Sequence, residues 1–277
     1  MTSRVTQPET GKPVKPRRPA RPVSLFPPQH GAWALLGLPV VLGWAIAGFT
    51  PALVLLGVGF VVAYPASYFA IAYLRYPRRE RYARALGIWG SAGIALAVVL
   101  LIARPWLVWV GLAYLIAFAV NLAFAKAGNE RSLTNDAVFI VECVAITPIM
   151  WGVGASAGGW VAPGIAGTPS ALWVVTAFAS FALVGSTMHV RSLIRQRNDL
   201  WLRRASQLFA GVSLAVAIAI STWISTATAV AAGLAFGFLL ARSFLVGRRP
   251  MKPGVIGMFE LVGFVLVAGV GFVAAAG

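Results

Sequence analysis

The chain has 277 residues, of which 59% are hydrophobic and only 11% charged, with a formal net charge of +16. Soluble domains carry about 25% charged residues. A soluble core of this size cannot hide so much apolar side chain, so the bulk of it must face lipid. The excess of 23 Lys and Arg over 7 Asp and Glu lies between apolar runs. That makes it an orientation signal rather than a nucleic-acid footprint.

Residues 1–28 are polar, basic and proline-rich. Such a segment buries too little apolar surface to order itself, so it is expected to be a mobile cytoplasmic tail lying near anionic lipid. Its charged part is too long, and the apolar run after it too complete, for a cleavable signal peptide. Residues 29–277 are expected to form one transmembrane helical domain. It contains nine apolar runs, at about 32–49, 52–74, 85–103, 106–125, 135–154, 171–190, 205–224, 227–246 and 255–275. A helix needs about 20 apolar residues to cross a bilayer, and all nine approach that. The first two runs touch at Thr50-Pro51, and the seventh and eighth are divided only by a weak polar cluster. The count is therefore nine, within limits of eight and ten.

With the N-terminus in the cytoplasm and the helices alternating, 22 of the 23 basic residues fall on the cytoplasmic side, Arg104 excepted. This layout obeys the positive-inside rule, and a wrong helix count would scramble it. The fold expected is an all-α polytopic transmembrane bundle in contact with membrane lipids. Glycines recur within the runs, at Gly87 and Gly90, at Gly233 and Gly237, and at Gly263, Gly269 and Gly271. They read as close helix packing, not chemistry.

Polar groups inside a span are costly unless they find water or a partner. The fifth run opens with Asn129-Glu130-Arg131-Ser132-Leu133-Thr134-Asn135-Asp136 and carries Glu142 two turns further on. Asn135, Val138 and Glu142 share a helical face. The arginines or His189 are the expected partners of Glu142. The sixth run carries Thr176, Ser180, Thr187 and Arg191 as a single stripe, flanked by Ser186 and His189. The run ends in the basic stretch 189–204, with Asn198-Asp199. Gln29 and His30 open the first run beside Trp33, either as a polar vestibule or as an interfacial anchor. The joins after the second and sixth runs align without a gap, matching Arg75 with Arg191, Arg79 with Arg195 and Arg81 with Arg197. The match suggests a parallel repeat. Cys143 is the single cysteine, so neither an internal disulfide nor a multi-cysteine metal site can form. No metal site is expected from the two histidines either.

The segments PPQHGAW at 27–33, GNERSLTND at 128–136 and STMHVRSLIRQRND at 186–199 resemble the bacterial YwiC-like family of integral membrane proteins. The resemblance covers 27–275. It implies a bacterial inner-membrane protein and supplies no reaction. The layout is also similar, more distantly, to the UbiA-type intramembrane prenyltransferases, whose Asn-Asp-rich motifs after helices two and six hold Mg²⁺ and a prenyl diphosphate. This chain departs from that pattern. Arg75, Arg78, Arg79 and Arg81 stand after helix two, and the richest carboxylate cluster follows helix four. Mg²⁺ is thus weakly supported, and the cofactor stays open. Arginine forks can instead hold an anionic head directly.

A cytoplasm-facing pocket for an anionic, amphiphilic ligand is the reading these residues favour. Its ligand-binding candidates are His30, Arg75, Arg79, Asn129, Glu130, Arg131, Asn135, Arg191 and Arg195. Its catalytic candidates are Glu142, His189 and Asp136. Three classes of function compete. An intramembrane enzyme on a lipid-linked or prenyl substrate predicts a lipid-sized cleft with Glu142 near His189. A proton-coupled permease predicts broken helices at mid-membrane. A non-catalytic membrane subunit predicts polar residues that satisfy one another.

Overall fold

The computed structural model describes residues 23–28, 30–156, 158–164, 166–246 and 251–277. Among the described residues there are nine helices and no strands: α1 His30–Ala47, α2 Pro51–Arg75, α3 Glu80–Ala103, α4 Leu107–Lys126, α5 Leu133–Ala155, α6 Ser170–Ile194, α7 Leu200–Ser221, α8 Thr226–Leu245 and α9 Pro253–Ala276. Eight of them, α2 to α9, are long and apolar enough to cross a membrane. The protein is a multi-pass helical membrane protein. The apolar stretch of α1 is shorter, at 31–47, and α1 sits in the middle of the bundle with Leu38, Val40 and Leu42 buried.

Local chemistry sets where these helices start. Thr50, Ser132, Asp199 and Ser225 each accept a hydrogen bond from the backbone N–H three residues on, capping α2, α5, α7 and α8. Each cap satisfies an amide that the helix itself leaves unpaired. Proline occupies the first turn of α2 and of α9, where its missing N–H costs nothing. Pro39, Pro65 and Pro148 lie inside α1, α2 and α5, and all three helices run on through them.

The centre is built from α1, α5, α6 and α9, with α1 packed on all three of the others. The Thr147 hydroxyl of α5 donates to the Pro39 carbonyl of α1 at 3.1 Å, a buried interhelical bond. The α2–α3 hairpin and the α7–α8 hairpin are the tightest pairs and flank this core. Helix α4 is peripheral and only lightly packed against its neighbours. Ile94 and Ile102 of α3 and Leu115 and Ile116 of α4 are exposed, as lipid-facing side chains should be.

Two of the expected packing glycines sit in close contact with a leucine methyl of a neighbouring helix. A Cβ on Gly263 would overlap Leu239, and one on Gly271 would overlap Leu42. Gly87, Gly237 and Gly269 face open space, while Gly90 and Gly233 meet only ordinary contacts.

The joins after α2, α4 and α6 gather at one end, tied together by side chains described below. At the opposite end the Trp106 amide donates to the Gly159 carbonyl at 3.1 Å. There Arg104 donates to the carbonyls of Ala103 and Val153 at 3.0 and 3.3 Å. Those carbonyls lie at the C-termini of α3 and α5, where a cation is favoured, which gives the isolated Arg104 its local role.

The tail expected over 1–28 lies outside the described residues except for 23–28. That last part is packed. Trp89 of α3 donates to the Leu25 carbonyl at 2.7 Å, and its ring meets Phe26 edge-on. The basic stretch 189–204 is also more ordered than a loop. Helix α6 continues through His189 and Arg191 to Ile194, and α7 starts at Leu200, leaving a five-residue join.

Candidate functional site

The α4–α5 join is clamped between the ends of α2 and α6. Arg75, in the last turn of α2, pairs with Glu130. Arg191, in the last turn of α6, donates to Asp136 at 2.7 Å and to the Gln196 side-chain oxygen at 2.9 Å. Arg195 reaches the same Asp136 oxygen at 3.6 Å. Asn135 donates to the Glu130 backbone carbonyl at 3.0 Å, and Ser132 caps the helix between them. The two arginines matched by the internal repeat thus grip acids on either side of the start of α5. The equivalence stops there. Arg79 is exposed and lies over the Tyr73 ring, 6.0 Å from its centroid, whereas Arg195 shares Asp136.

The remaining predicted site residues fall in different places. Asn129 and Arg131 are exposed in the join. His30 opens α1, but its side chain lies outside the described residues. Glu142 lies about 14 Å along α5 from its first residue, and its partner is neither an arginine nor His189. Asn121 of α4 donates to both carboxylate oxygens at 3.1 and 3.2 Å, and Tyr114 donates to the Glu142 backbone carbonyl at 2.5 Å. Glu130, Asp136 and Glu142 therefore do not converge on one point. Each faces a different helix.

The predicted stripe on α6 divides as well. Thr176 and Ser180 donate to carbonyls four residues back, at 2.7 and 3.0 Å, a common use of hydroxyls in membrane helices. The inward face is instead carried by Ser186, His189 and Ser192, all buried. His189 is 2% exposed. Next to it lies an ion pair that sequence reading left out of the site, between Arg242 of α8 and Glu260 of α9. Their side chains are 3% and 7% exposed, and Ser186 lies beside Glu260. The signal for this pair was present in the sequence. An acid inside an apolar run needs a cation, and Arg242 stands at the end of the preceding run. The lone amide of Asn121 inside the fourth run was the equivalent signal for Glu142.

Two spaces lie along α6 and α7, and only the first is lined by His189. The first is a small cavity between α6, α7 and α8, of about 10 Å³, lined by His189, Ser206, Ser213, Arg242 and Ser243 among apolar residues. The second is an open groove of about 440 Å³ across the α6–α7 join and the start of α9. Its rim carries Ser192, Arg197, Asn198 and Arg203, and its apolar side is formed by Leu193, Ile194, Met251 and Ile256. Among the described residues, Arg197 and Arg203 belong to no ion pair. Arg203 also lies close enough to His189 for their charges to interact.

Residues 26–151 match the family described as YwiC-like protein. The chain is 27% identical over 241 residues to "Uncharacterized protein YwiC" of Bacillus subtilis (strain 168), an alignment that takes in 86% of this chain and 93% of that protein. No solved structure matches the chain.

Proposed function

For this YwiC-like, multi-pass membrane protein we propose a cytoplasm-facing site for an anionic amphiphile, a phosphate-bearing lipid or lipid-linked molecule of the inner membrane. The N-terminus is cytoplasmic in this reading, because 22 of the 23 basic residues then lie on that side. The observation that carries the proposal is the groove at the α6–α7 join. It combines two arginines outside any ion pair with an apolar side, the two halves that a charged head and an acyl or prenyl chain require.

This reading shifts the binding role among the arginines. Arg75, Arg191 and Arg195 are matched by carboxylates and hold the α4–α5 join in place. Arg197 and Arg203 have charge to spare for a ligand. His189, close enough to Arg203 for their charges to interact, is a candidate proton carrier. Glu142, bound to Asn121 on the other side of the bundle, acts as a structural anchor for α4. If the bound head undergoes chemistry, the intramembrane enzyme is therefore the reading favoured over a permease, since no described helix is broken at mid-membrane.

Native mass spectrometry of the full chain released from lipid nanodiscs tests the proposal. Wild-type protein should retain anionic lipid, and the Arg197→Gln/Arg203→Gln double variant should lose most of it. Arg79→Gln, which removes an exposed charge outside the groove, should not. The retained mass distinguishes a lipid head from free phosphate. Equal retention by the wild type and the double variant would sink the groove assignment.

A further inference from the structure

We infer that Glu142 and Asn121 form a proton-binding site inside the membrane, in which Glu142 is a neutral carboxylic acid at the lipid-facing seam between α4 and α5. This site is separate from the groove proposed above and does not depend on it.

Glu142 differs from the other acids of the described residues. Glu130, Asp136 and Glu260 each meet an arginine. Glu80 and Asp199 stand at helix starts, at the ends of the bundle. Glu142 lies well inside α5, and no Lys, Arg or His among the described residues comes within ion-pair distance of it. The groups around it are uncharged at neutral pH: the Asn121 amide and Tyr114 hydroxyl of α4, and the neighbouring Cys143 thiol. Tyr114 donates to the Glu142 backbone carbonyl, so Asn121 alone attends the carboxyl group. A neutral amide donor does not offset a full charge. An ionised group within a span is costly without a counter-ion or water, and it neutralises instead by holding a proton.

Asn121 supplies the matching half of the site. Its Nδ2 donates to the two carboxyl oxygens at 3.1 and 3.2 Å, while its Oδ1 is buried and accepts no hydrogen bond. A carboxylate has only acceptors and cannot serve Oδ1, whereas a protonated carboxyl carries one O–H donor. With the proton in place, acid and amide can pair through two bonds, N–H to the carboxyl C=O and O–H to Oδ1. One proton thus removes the charge and satisfies the unpaired acceptor. The seam itself is open to its surroundings. Glu142 is half-buried, Val141 and Val120 beside the pair are exposed, and α4 is lightly packed.

Solid-state NMR of the full chain in lipid bilayers, with ¹³C-labelled glutamate, reads the proton directly. Glu142→Gln identifies the Glu142 carboxyl resonance by deletion. At neutral pH that resonance is expected at the shift of a neutral acid, with the exposed Glu80 as the carboxylate reference. An ionised Glu142 would overturn the inference. Asn121→Leu should displace the resonance, and an unmoved one would remove Asn121 from the site. Dicyclohexylcarbodiimide, an apolar reagent, tests the lipid-facing placement. The acid O–H adds across one C=N bond, oxygen to carbon and proton to nitrogen. Acyl transfer to nitrogen then leaves a stable N-acylurea with no atom lost. The wild type should gain this adduct at Glu142, mapped by peptide mass spectrometry, and a water-soluble carbodiimide should leave Glu142 unmodified. A neutral Glu142 that resists the apolar reagent would overturn its placement against lipid. Neither measurement reads lipid retention, so this site and the groove stand or fall separately.

Discussion

Arg242 and Glu260 carry the clearest energetic consequence of any pair of residues here. Two opposite charges buried together cost desolvation that their attraction only partly returns, but removing one leaves the other uncompensated. Arg242→Gln should therefore destabilise the protein by about 3–5 kcal/mol, read as a lowered unfolding midpoint by tryptophan fluorescence in detergent. Arg242→Leu combined with Glu260→Leu should recover most of that loss, because the apolar pair carries no desolvation cost. A double variant no better than the single one would mean that the ion pair is not the source of the effect. Glu142 offers a second test. Glu142→Gln keeps an acceptor for Asn121 and should be nearly neutral. Asn121→Ala strips the carboxylate of its donor and should cost about 1–3 kcal/mol in the same assay. Sequence reading singled out Glu142 and His189 as groups needing a reason. Asn121 stood out as a lone amide in the fourth run, but that it faces Glu142 is set only by packing.

Among the helices, close approach and loose attachment make opposite predictions. Gly263 of α9 sits against Leu239 of α8, and Gly271 against Leu42 of α1, with no room for a methyl group. Gly271→Ala or Gly263→Ala should lower stability by about 1–3 kcal/mol through overpacking, seen as a lower thermal midpoint. Gly237→Ala, facing open space within α8, should be neutral or stabilising by up to about 1 kcal/mol. All these glycines look alike in the sequence. What separates them is the partner helix each happens to face. Helix α4 is the reverse case. With little packing to hold it, its hydrogen bonds from Tyr114 and Asn121 to Glu142 matter more than in a tightly packed helix. The α4–α5 join is similar, since ion pairs to α2 and α6 locate it rather than apolar burial.

The whole molecule is polar at one end and apolar through its width, and that asymmetry makes topology testable. In a Cys143→Ala background, Asn129→Cys should react with a membrane-impermeant thiol reagent only when the cytoplasmic face is opened. Ala166→Cys should react in intact cells. The reverse pattern would invert the orientation on which the groove proposal depends. The class of object, the helices to within about five residues and the end at which charge collects are legible in the sequence. Those follow from apolar run length, from the cost of unpaired backbone groups in lipid and from the sidedness of Lys and Arg, all of which are local or additive along the chain. Which charges neutralise one another depends instead on how the helices pack. Arg75, Arg191 and Arg195 look like their neighbours in the sequence, and packing brings Glu130 and Asp136 against them. Arg197 and Arg203, close by in the same stretch, line the groove and pair with no acid among the described residues. Ion pairing acts over a few ångströms between groups far apart in sequence, and so it is set by how the helices pack.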